Sequence, residues 1–524
     1  MASAGDFTGA AAAALAALGA GLEHPLLLNV AALQLERGGR FEDACRYLRR
    51  AIELAPQDIG ARNALGLCLQ GMNRDDEALA HFDAVIALAP QAAFGHANRG
   101  RALLALGRIE EARGSFQKAL EREPNVAALA GLAAIATFRG DHSEARQLAE
   151  RVLQVEPNYP DAVMSMTAAD LAAEQPREAA RRLRELLADR RLAPVDRAHA
   201  LCMLGDVLDA QQRYAEAFAA YTEANERLTR IYSPLYAEGE TALEFTRRLT
   251  EQCQSVPAHL WAPAVPRKAA TADVRHVFLV GFPRSGTTLL EAALEGHPSV
   301  RSLEEQELMI DSVRAYLGRP EYVQRLVAAN DAELQGYRDS YWQRVRDAGI
   351  DCAGKVFVDK YPLNILKLPL IARLFPEAKI LLARRDPRDV VLSCFRRRFR
   401  MNAPMFQLLS LDGAARFYDA TMRAAEVFQE RLKLALRVAQ HEMIVGDFRS
   451  ELTAICNWIG VDWTDAMRAV DQRSRNRAVV TPSTAQLSRG VDPATVGQWR
   501  HYAPQLAPVL PILEPWVRKF GYEP

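Results

Sequence analysis

The chain contains a glycine-bounded loop whose residue types suit the binding of a phosphate-like anion. The loop runs from Gly281 to Gly286 and continues into Thr287 and Thr288. It follows a short apolar run at residues 277–280, which predicts a buried strand, and a helical pattern begins directly after it. This order of elements aims backbone N–H groups and the positive end of a helix dipole at one point. The pattern therefore predicts an anion site, with an ordinary strand–turn–helix corner as the alternative.

The loop also indicates which anion it would hold. Nucleotide kinases place a lysine directly after the second glycine, where it reaches the β and γ phosphates. Here Thr287 stands in that place, and Arg284 inside the loop supplies a forked cation instead. Together with Ser285, Gly286 and Thr288, this arginine suits an anion held by hydroxyls and amides. A Mg²⁺-bound triphosphate is not expected.

Two further stretches place carboxylates and a lysine where a transfer reaction could use them. Glu304, Glu305 and Glu307 follow the loop helix, and a positioned carboxylate can remove the proton of an attacking hydroxyl. The same carboxylates could form a solvated helix start, because acidic residues favour first turns. Lys360 ends a predicted strand at residues 355–360, where α/β folds collect their ligands. A solvated lysine is the alternative for this position.

A second candidate anion site follows the next predicted strand, at residues 379–383. Arg385 precedes a proline-started helix, and Ser393 comes eight residues after this arginine. A strand end, a helix start and a serine two turns along the helix together favour anion binding. The basic run at residues 396–400 could be a solvated face or an RNA-binding patch, but few aromatics interleave it. A nucleic-acid partner is therefore not expected.

The run Gly-Phe-Pro-Arg-Ser-Gly-Thr-Thr-Leu resembles the 5′-phosphosulfate loop of the sulfotransferases, and most closely that of the tyrosylprotein branch. The resemblance implies 3′-phosphoadenosine 5′-phosphosulfate (PAPS) as the sulfuryl donor. It implies Glu305 as the base that activates the acceptor. Lys360 would contact the bridging oxygen of the donor. Arg385 and Ser393 would hold the 3′ phosphate, assisted by Arg397.

A later loop extends the resemblance, which covers roughly residues 273–505. In the tyrosylprotein enzymes a Ser-Thr-x-Gln loop with a following basic residue closes over the donor, and Ser483 and Arg489 are the matching residues here. Two positions depart from the family pattern, because Glu307 and Asp311 stand where those enzymes use arginines to hold an acidic acceptor. A neutral or basic peptide, a sugar or a small phenol is therefore as plausible an acceptor as an acidic tyrosine peptide.

A sheet must bring these residues together. Each of the three predicted strands ends at one of the candidate groups, and the carboxyl ends of parallel strands meet at one edge. A fourth strand is predicted at residues 443–448, followed by a helix at residues 451–459. The pattern predicts an α/β domain over residues 273–524, with a mostly parallel sheet and a phosphate-binding loop.

The first half of the chain repeats with a period of about 34 residues. Alanines recur with a proline twelve residues after each: Ala44 with Pro56, Ala78 with Pro90, Ala112 with Pro124, and Ala145 with Pro157. This pattern is typical of tetratricopeptide repeats, which are paired antiparallel helices. It predicts an all-α solenoid over residues 24–230, after an N-terminal helix in residues 1–23 and before a helix and linker in residues 231–272. Such solenoids bind a protein partner, form homodimers or brace a neighbouring domain.

The bulk composition narrows the class of protein. The 524 residues carry 65 basic and 65 acidic side chains, so net charge gives no argument for nucleic acid or an anionic membrane surface. The alanine-rich stretch at residues 9–21 lacks a preceding basic residue and is too short for a membrane span. The seven cysteines are scattered, without a Cys-x-x-Cys pair. A cytoplasmic protein with reduced thiols and no metal site is expected.

Together these patterns predict a PAPS-dependent, metal-independent sulfotransferase fused to a tetratricopeptide solenoid. The acceptor would be a hydroxyl, either of a peptide tyrosine or of a carbohydrate or small phenol. A non-catalytic scaffold with a degenerate transferase domain is the alternative from a different class. A nucleotide kinase is disfavoured by the missing loop lysine.

Overall fold

The computed structural model of the chain describes residues 7–236, 239–261, 274–318, 322–475 and 490–523. They form two compact units, divided between Leu186 and Leu187. Part of the predicted linker, residues 262–273, lies outside the described residues.

The first unit is built from consecutive helices. They are α1 (Phe7–Gly19), α2 (Pro25–Arg37), α3 (Phe41–Leu54), α4 (Ile59–Gly71), α5 (Asp75–Leu88), α6 (Ala93–Ala105), α7 (Ile109–Leu120), α8 (Val126–Arg139), α9 (His142–Val155), α10 (Pro160–Ala172) and α11 (Pro176–Ala188), which ends at the division. The helical solenoid that the repeat pattern predicts is confirmed.

Small residues allow the helices of each pair to pack closely. A Cβ added to Gly66 would lie 2.5 Å from the ring of Phe82, and one added to Gly100 would lie 2.6 Å from the ring of Phe116. The repeated alanines are fully buried between the helices, as Ala78 illustrates. The 34-residue period therefore reflects a repeated contact between a small residue and an aromatic ring.

The second unit begins with α12 (Pro194–Ala210), α13 (Tyr214–Tyr236) and α14 (Ala242–Ser255). The sequence pattern assigns α12 and most of α13 to the repeats, but these two helices belong to the second compact unit. A parallel sheet follows, formed by β1 (Arg275–Gly281), β2 (Val300–Glu304), β3 (Val356–Lys360), β4 (Lys379–Arg384) and β5 (Ala435–Gln440).

Helices surround this sheet. They are α15 (Thr287–Leu294), α16 (Ile310–Tyr316), α17 (Tyr322–Ala328), α18 (Asp331–Asp347), α19 (Leu368–Leu374), α20 (Pro387–Arg396), α21 (Ala403–Gln407), α22 (Leu411–Arg431), α23 (His441–Gly446), α24 (Phe448–Ile459), α25 (Val470–Arg475), α26 (Ala503–Leu506) and α27 (Leu510–Lys519). Short 3₁₀ helices connect them at Ala258–Trp261, Pro362–Lys367, Asp465–Arg468, Pro493–Thr495, Gln498–Tyr502 and Ala507–Val509.

The strand order is β2-β3-β1-β4-β5, and every pairing is parallel. The central strand β1 is fully buried from Val277 to Val280, as expected for an apolar run covered on both faces. Its side chains pack in one core with residues of α15 and α24, such as Leu290 and Ile455. The α/β domain that the sequence predicts is confirmed, and the carboxyl ends of its strands share one edge.

Two elements differ from the sequence-based expectation. The strand predicted at residues 443–448 is wrong, because His441–Gly446 is helical and the strand β5 directly precedes it. A short apolar run does not by itself distinguish a strand from a helix, and β5 is a partly exposed edge strand without such a run. Strand β2 was also missed, because Val300–Glu304 is only five residues long, contains two apolar residues and shows no regular alternation.

Candidate active site

The anion loop turns tightly between β1 and α15. A Cβ on Gly281 would lie 2.8 Å from the carbonyl oxygen of Ala383 in β4, so the close approach of the two strands requires glycine there. Arg284 and Gly286 both adopt left-handed backbone, with φ of 70° and 98°. This geometry directs the chain into the first turn of α15, where Thr287 and Thr288 are buried. The amides of that turn can meet an anion.

Arg284 joins the two predicted anion motifs. Its side chain is buried, and Nε donates to Oγ of Ser393 at 3.0 Å. The cause is the sheet register, because β1 and β4 are neighbours and Gly281 pairs with Ala383. The loop after β1 therefore lies beside helix α20, which follows β4. The loop and the Arg385–Ser393 motif are thus parts of one site.

Two guanidinium groups, those of Arg284 and Arg385, line this site, and the charge of Arg397 acts on Arg284. Burial, together with the positive charges of Arg397 and Arg385, lowers the pKa of Arg284 to about 9. Arg385 is buried, donates from Nη2 to the carbonyl oxygen of Thr495 at 2.5 Å, and lies 3.7 Å from the carboxylate of Asp389. Such a concentration of like charge in a buried place is stabilised when an anion binds.

A cleft opens beside Arg284 and Arg385. Its lining includes Arg284, Gly286, Thr288, Leu289, Arg385, His441, Val445, Gly490, Val491, Asp492 and Thr495. The cleft is therefore basic at one end, where the two arginines lie, and apolar where Leu289, Val445 and Val491 lie. This combination suits a ligand with charged groups and a flat apolar part.

His441 is a residue of this cleft that the sequence reasoning missed. Its ring is buried, and neither ring nitrogen has a hydrogen-bond partner within the described part of the chain. Burial lowers its pKa to about 3, helped by Arg385 and Arg284, so the ring is neutral and offers one donor and one acceptor. Correct placement of β5 would have revealed it, because His441 directly follows that strand's carboxyl end.

Lys360 lies at the end of β3 inside a cage of carboxylates. Its Nζ is 2.8 Å from Glu305, 2.9 Å from Glu304 and 3.4 Å from Glu291, and the lysine side chain is fully buried. Burial disfavours the charged ammonium, but the three carboxylates outweigh it and hold the pKa of Lys360 above its ordinary value. The pairing of β2 with β3 sets Glu304 directly opposite Lys360.

Among these carboxylates, Glu305 is the most exposed to solvent. Its side chain is 36% exposed, against 9% for Glu304 and 1% for Glu291. Its backbone is left-handed, with φ of 47°, and its amide donates to the carbonyl oxygen of Lys360 at 2.7 Å. The turn at the end of β2 therefore presents this carboxylate outward while one of its oxygens stays on the lysine.

The remaining predicted residues occupy different positions. Arg397 caps α20 and contacts Asp206 of α12 at 3.1 Å. Ser483 and Arg489 lie outside the described residues. The two acidic residues that depart from the family pattern are both ion-paired, Glu307 with Lys367 and Asp311 with Arg344, each at 2.5 Å.

The described residues offer neither a metal-ligand cluster nor a membrane-spanning helix, and their cysteines are unpaired. No group of three or more histidine, cysteine or acidic side chains there could hold a metal ion. No helix within the described ranges is both long and apolar enough to cross a membrane. All seven cysteines are buried and carry free thiols.

Family models match both halves of the chain. Residues 276–465 match the model described as sulfotransferase family. Tetratricopeptide-repeat models match residues 57–123 in one case and residues 2–59, 98–163 and 169–228 in another. The chain therefore combines tetratricopeptide repeats with a sulfotransferase-family domain.

Individual relatives share this organisation in part. An uncharacterized protein of Aquifex aeolicus is 24% identical over 413 residues, which cover 77% of this chain and 52% of that protein. The chain thus spans about half the length of that relative. Protein-tyrosine sulfotransferase 2 of Gallus gallus is 24% identical over 285 residues, covering 47% of this chain and 69% of its own. Among solved structures, the pilus biogenesis factor PilW is similar with a TM-score of 0.33 and 18% identity over 38% of this chain and 92% of its own.

Proposed function

We propose that the chain is a sulfotransferase that moves a sulfuryl group from PAPS to a hydroxyl acceptor. The sulfotransferase-family domain supports the reaction class. The observation that carries the choice of donor is the bond from Arg284 to Ser393, because it joins the loop site and the α20 site at one cleft. A donor with one anionic group at its 5′ end and another at its 3′ position needs two such sites in contact.

The residues of the site fit this donor. The loop amides with Thr287 and Thr288 take the 5′ phosphosulfate, and Arg284 neutralises it. Arg385 and Ser393 take the 3′ phosphate at the start and middle of α20. The neutral ring of His441 and the apolar lining lie where a nucleoside can pack. Ser483 and Arg489, which lie outside the described residues, belong to this proposal through the family resemblance alone.

The transfer needs a base and a compensating cation. Glu305 removes the proton of the acceptor hydroxyl as the acceptor oxygen forms its bond to sulfur. The sulfur–oxygen bond to the 5′ phosphate breaks, and Lys360 with Arg284 offsets the charge that develops on the departing oxygen. Lys360 contacts Glu305 and also Glu291 of α15, the helix that follows the anion loop. In this proposal one ammonium group therefore couples proton removal to charge compensation.

The acceptor is a hydroxyl with neutral or basic surroundings. The exposed carboxylate of Glu305 lies beside Lys360, and Glu307 and Asp311 stand where the resembling enzymes carry arginines, so an anionic acceptor is disfavoured. A peptide tyrosine is the first candidate, because similar proteins bear the name protein-tyrosine sulfotransferase. A carbohydrate or a small phenol is the second. The repeats recruit the acceptor protein, another partner or a second copy of the chain, and the free thiols favour the cytoplasm.

Donor binding is tested by thermal unfolding with adenosine 3′,5′-bisphosphate, adenosine 5′-monophosphate and ATP with Mg²⁺. A ligand that binds only the folded state stabilises it by about 2.7 kcal/mol at a hundredfold excess over Kd. The bisphosphate is expected to raise the unfolding temperature most. Stabilisation by ATP with Mg²⁺ alone would indicate a kinase, and no stabilisation by any of the three would favour a scaffold.

The acceptor is identified by transfer of the labelled sulfuryl group. The protein is incubated with sulfur-labelled PAPS and a lysate of its host, and the labelled products are separated into proteins, carbohydrates and small molecules. Label on tyrosine of proteins supports the first candidate, and label only in the other fractions supports the second.

A further inference from the structure

Two consecutive arginines at the end of α20 are held by the same helix of the last repeat. Arg397 Nη1 lies 3.1 and 3.3 Å from the two carboxylate oxygens of Asp206. Arg396 Nη2 lies 2.7 Å from Asp209. Both aspartates are on α12, one turn apart, and the tetratricopeptide match at residues 169–228 includes them.

Further contacts from α12 and α13 hold the end of α20 in place. Asn225 Nδ2 donates to the carbonyl oxygen of Phe395 at 2.8 Å. The thiol of Cys202 donates to the carbonyl oxygen of Arg396 at 3.4 Å. The rings of Phe218 and Phe395 stack with centroids 5.1 Å apart. Helices α12 and α13 thus satisfy carbonyl groups that the end of a helix leaves without partners. The last repeat packs directly onto the helix that carries Ser393.

The two arginines serve different purposes in this contact. The guanidinium of Arg396 is 5% exposed and lies 5.3 Å from the ring centre of Tyr221 and 5.2 Å from that of Tyr502. It is enclosed by aromatic rings and an aspartate, as a structural arginine is. Arg397 is 24% exposed and bonds to Asp206 through one terminal nitrogen. Within the described part of the chain its other nitrogens make no such bond and can meet a ligand.

Arg397 caps α20 about one helical turn after Ser393, whose hydroxyl accepts a hydrogen bond from Arg284. After burial, its charge is the largest contribution to the lowered pKa of Arg284, ahead of that of Arg385. Asp206 is itself held in place, because the hydroxyl of Tyr221 donates to its Oδ1 at 2.8 Å. A carboxylate fixed by the repeat therefore determines where a guanidinium of the donor site lies.

We propose that Asp206 is a positioning residue for the donor, which makes the last repeat part of the 3′-phosphate site. It holds Arg397 beside Arg284 against their mutual repulsion. Without this counter-charge the partly exposed Arg397 turns toward solvent, and ligand binding must then order it again. The inference rests on the proposed function, since it assumes that Arg397 contacts the 3′ phosphate of the nucleotide.

The test compares the Kd of adenosine 3′,5′-bisphosphate with that of adenosine 5′-monophosphate by calorimetry, in the full chain. The ratio of the two isolates the contribution of the 3′ phosphate and is insensitive to a general loss of folding. In Asp206→Asn the preference for the bisphosphate is expected to fall roughly three- to tenfold, the cost of ordering one long side chain. In Arg397→Gln the preference falls at least as far. The double variant Asp206→Asn with Arg397→Gln is expected to show the same preference as Arg397→Gln alone, because Asp206 acts through Arg397.

Asp209→Asn is the matched control. It removes the same charge from the same helix, but its partner Arg396 is enclosed by Tyr221 and Tyr502. It is expected to lower the unfolding temperature without changing the ratio of the two Kd values.

The outcomes separate the inference from the proposed function. Failure of the unmodified protein to prefer the bisphosphate would overturn the proposed donor, and the inference with it. A clear preference that Asp206→Asn leaves unchanged or strengthens would overturn the inference alone. The inference would also be overturned if Asp206→Asn lowered the preference for the bisphosphate by the same factor in the Arg397→Gln variant as in the unmodified protein.

Discussion

Arg284 and Glu305 share a left-handed backbone conformation, with φ of 70° and 47°, that is uncommon for residues other than glycine. Each such residue costs about 1–3 kcal/mol, and such strain clusters at functional sites. At Arg284 the strain turns the guanidinium toward Ser393, and at Glu305 it places the carboxylate beside Lys360. Both strained residues therefore position groups that the proposed reaction uses.

Glu305→Gln tests the base directly. The amide keeps the shape of the side chain but cannot accept the acceptor's proton. We therefore expect unchanged binding of adenosine 3′,5′-bisphosphate and a loss of turnover of roughly 10²- to 10⁴-fold. Calorimetry measures the first quantity and transfer of labelled sulfuryl groups measures the second.

Glu307→Gln is the control for that variant, because it makes the same chemical change two residues away in a side chain paired with Lys367. Its turnover is expected to stay close to that of the unmodified protein. Retention of full turnover by Glu305→Gln would remove Glu305 from the mechanism.

At the scale of the elements, the sheet register explains why residues far apart in sequence form one site. The motifs at Gly281–Gly286 and Arg385–Ser393 could be predicted because each has a fixed spacing and follows an apolar strand. Their direct contact could not be predicted, since it depends on β1 and β4 being neighbours. The cage around Lys360 depends in the same way on β2, an edge strand too short and too polar to detect.

The helix pairs of the first unit were predictable from the period alone. The close packing within a pair can be tested by substituting one of its glycines. In Gly100→Ala the new methyl group would lie 2.6 Å from the ring of Phe116, and overpacking of this kind costs typically 1–3 kcal/mol. We expect a lower unfolding temperature of the full chain, measured by calorimetry.

Gly114→Ala is the matched control, because Gly114 is in the neighbouring helix α7 and nothing lies within 4 Å of its added Cβ. Alanine is favoured over glycine inside a helix by roughly 0.5–1 kcal/mol, so this variant should be at least as stable as the unmodified protein. Equal stability of the two variants would contradict the close contact between the helices.

At the scale of the whole molecule, the chain joins a repeat array to a sulfotransferase-family domain. The last repeat, formed by α12 and α13, belongs to the same compact unit as the sheet. Its aspartates contact the end of the helix that carries Ser393. The division between the compact units therefore does not fall between the repeats and the sulfotransferase-family domain, which the repeat period could not reveal.

The central claim is that one nucleotide occupies both anion motifs, and a crystal structure of the full chain with adenosine 3′,5′-bisphosphate tests it most directly. We predict the 5′ phosphate at the amides of the loop and Arg284, and the 3′ phosphate of the same molecule at Arg385 and Ser393. Binding of the nucleotide away from the cleft, or with both phosphates distant from Arg385, would contradict the account.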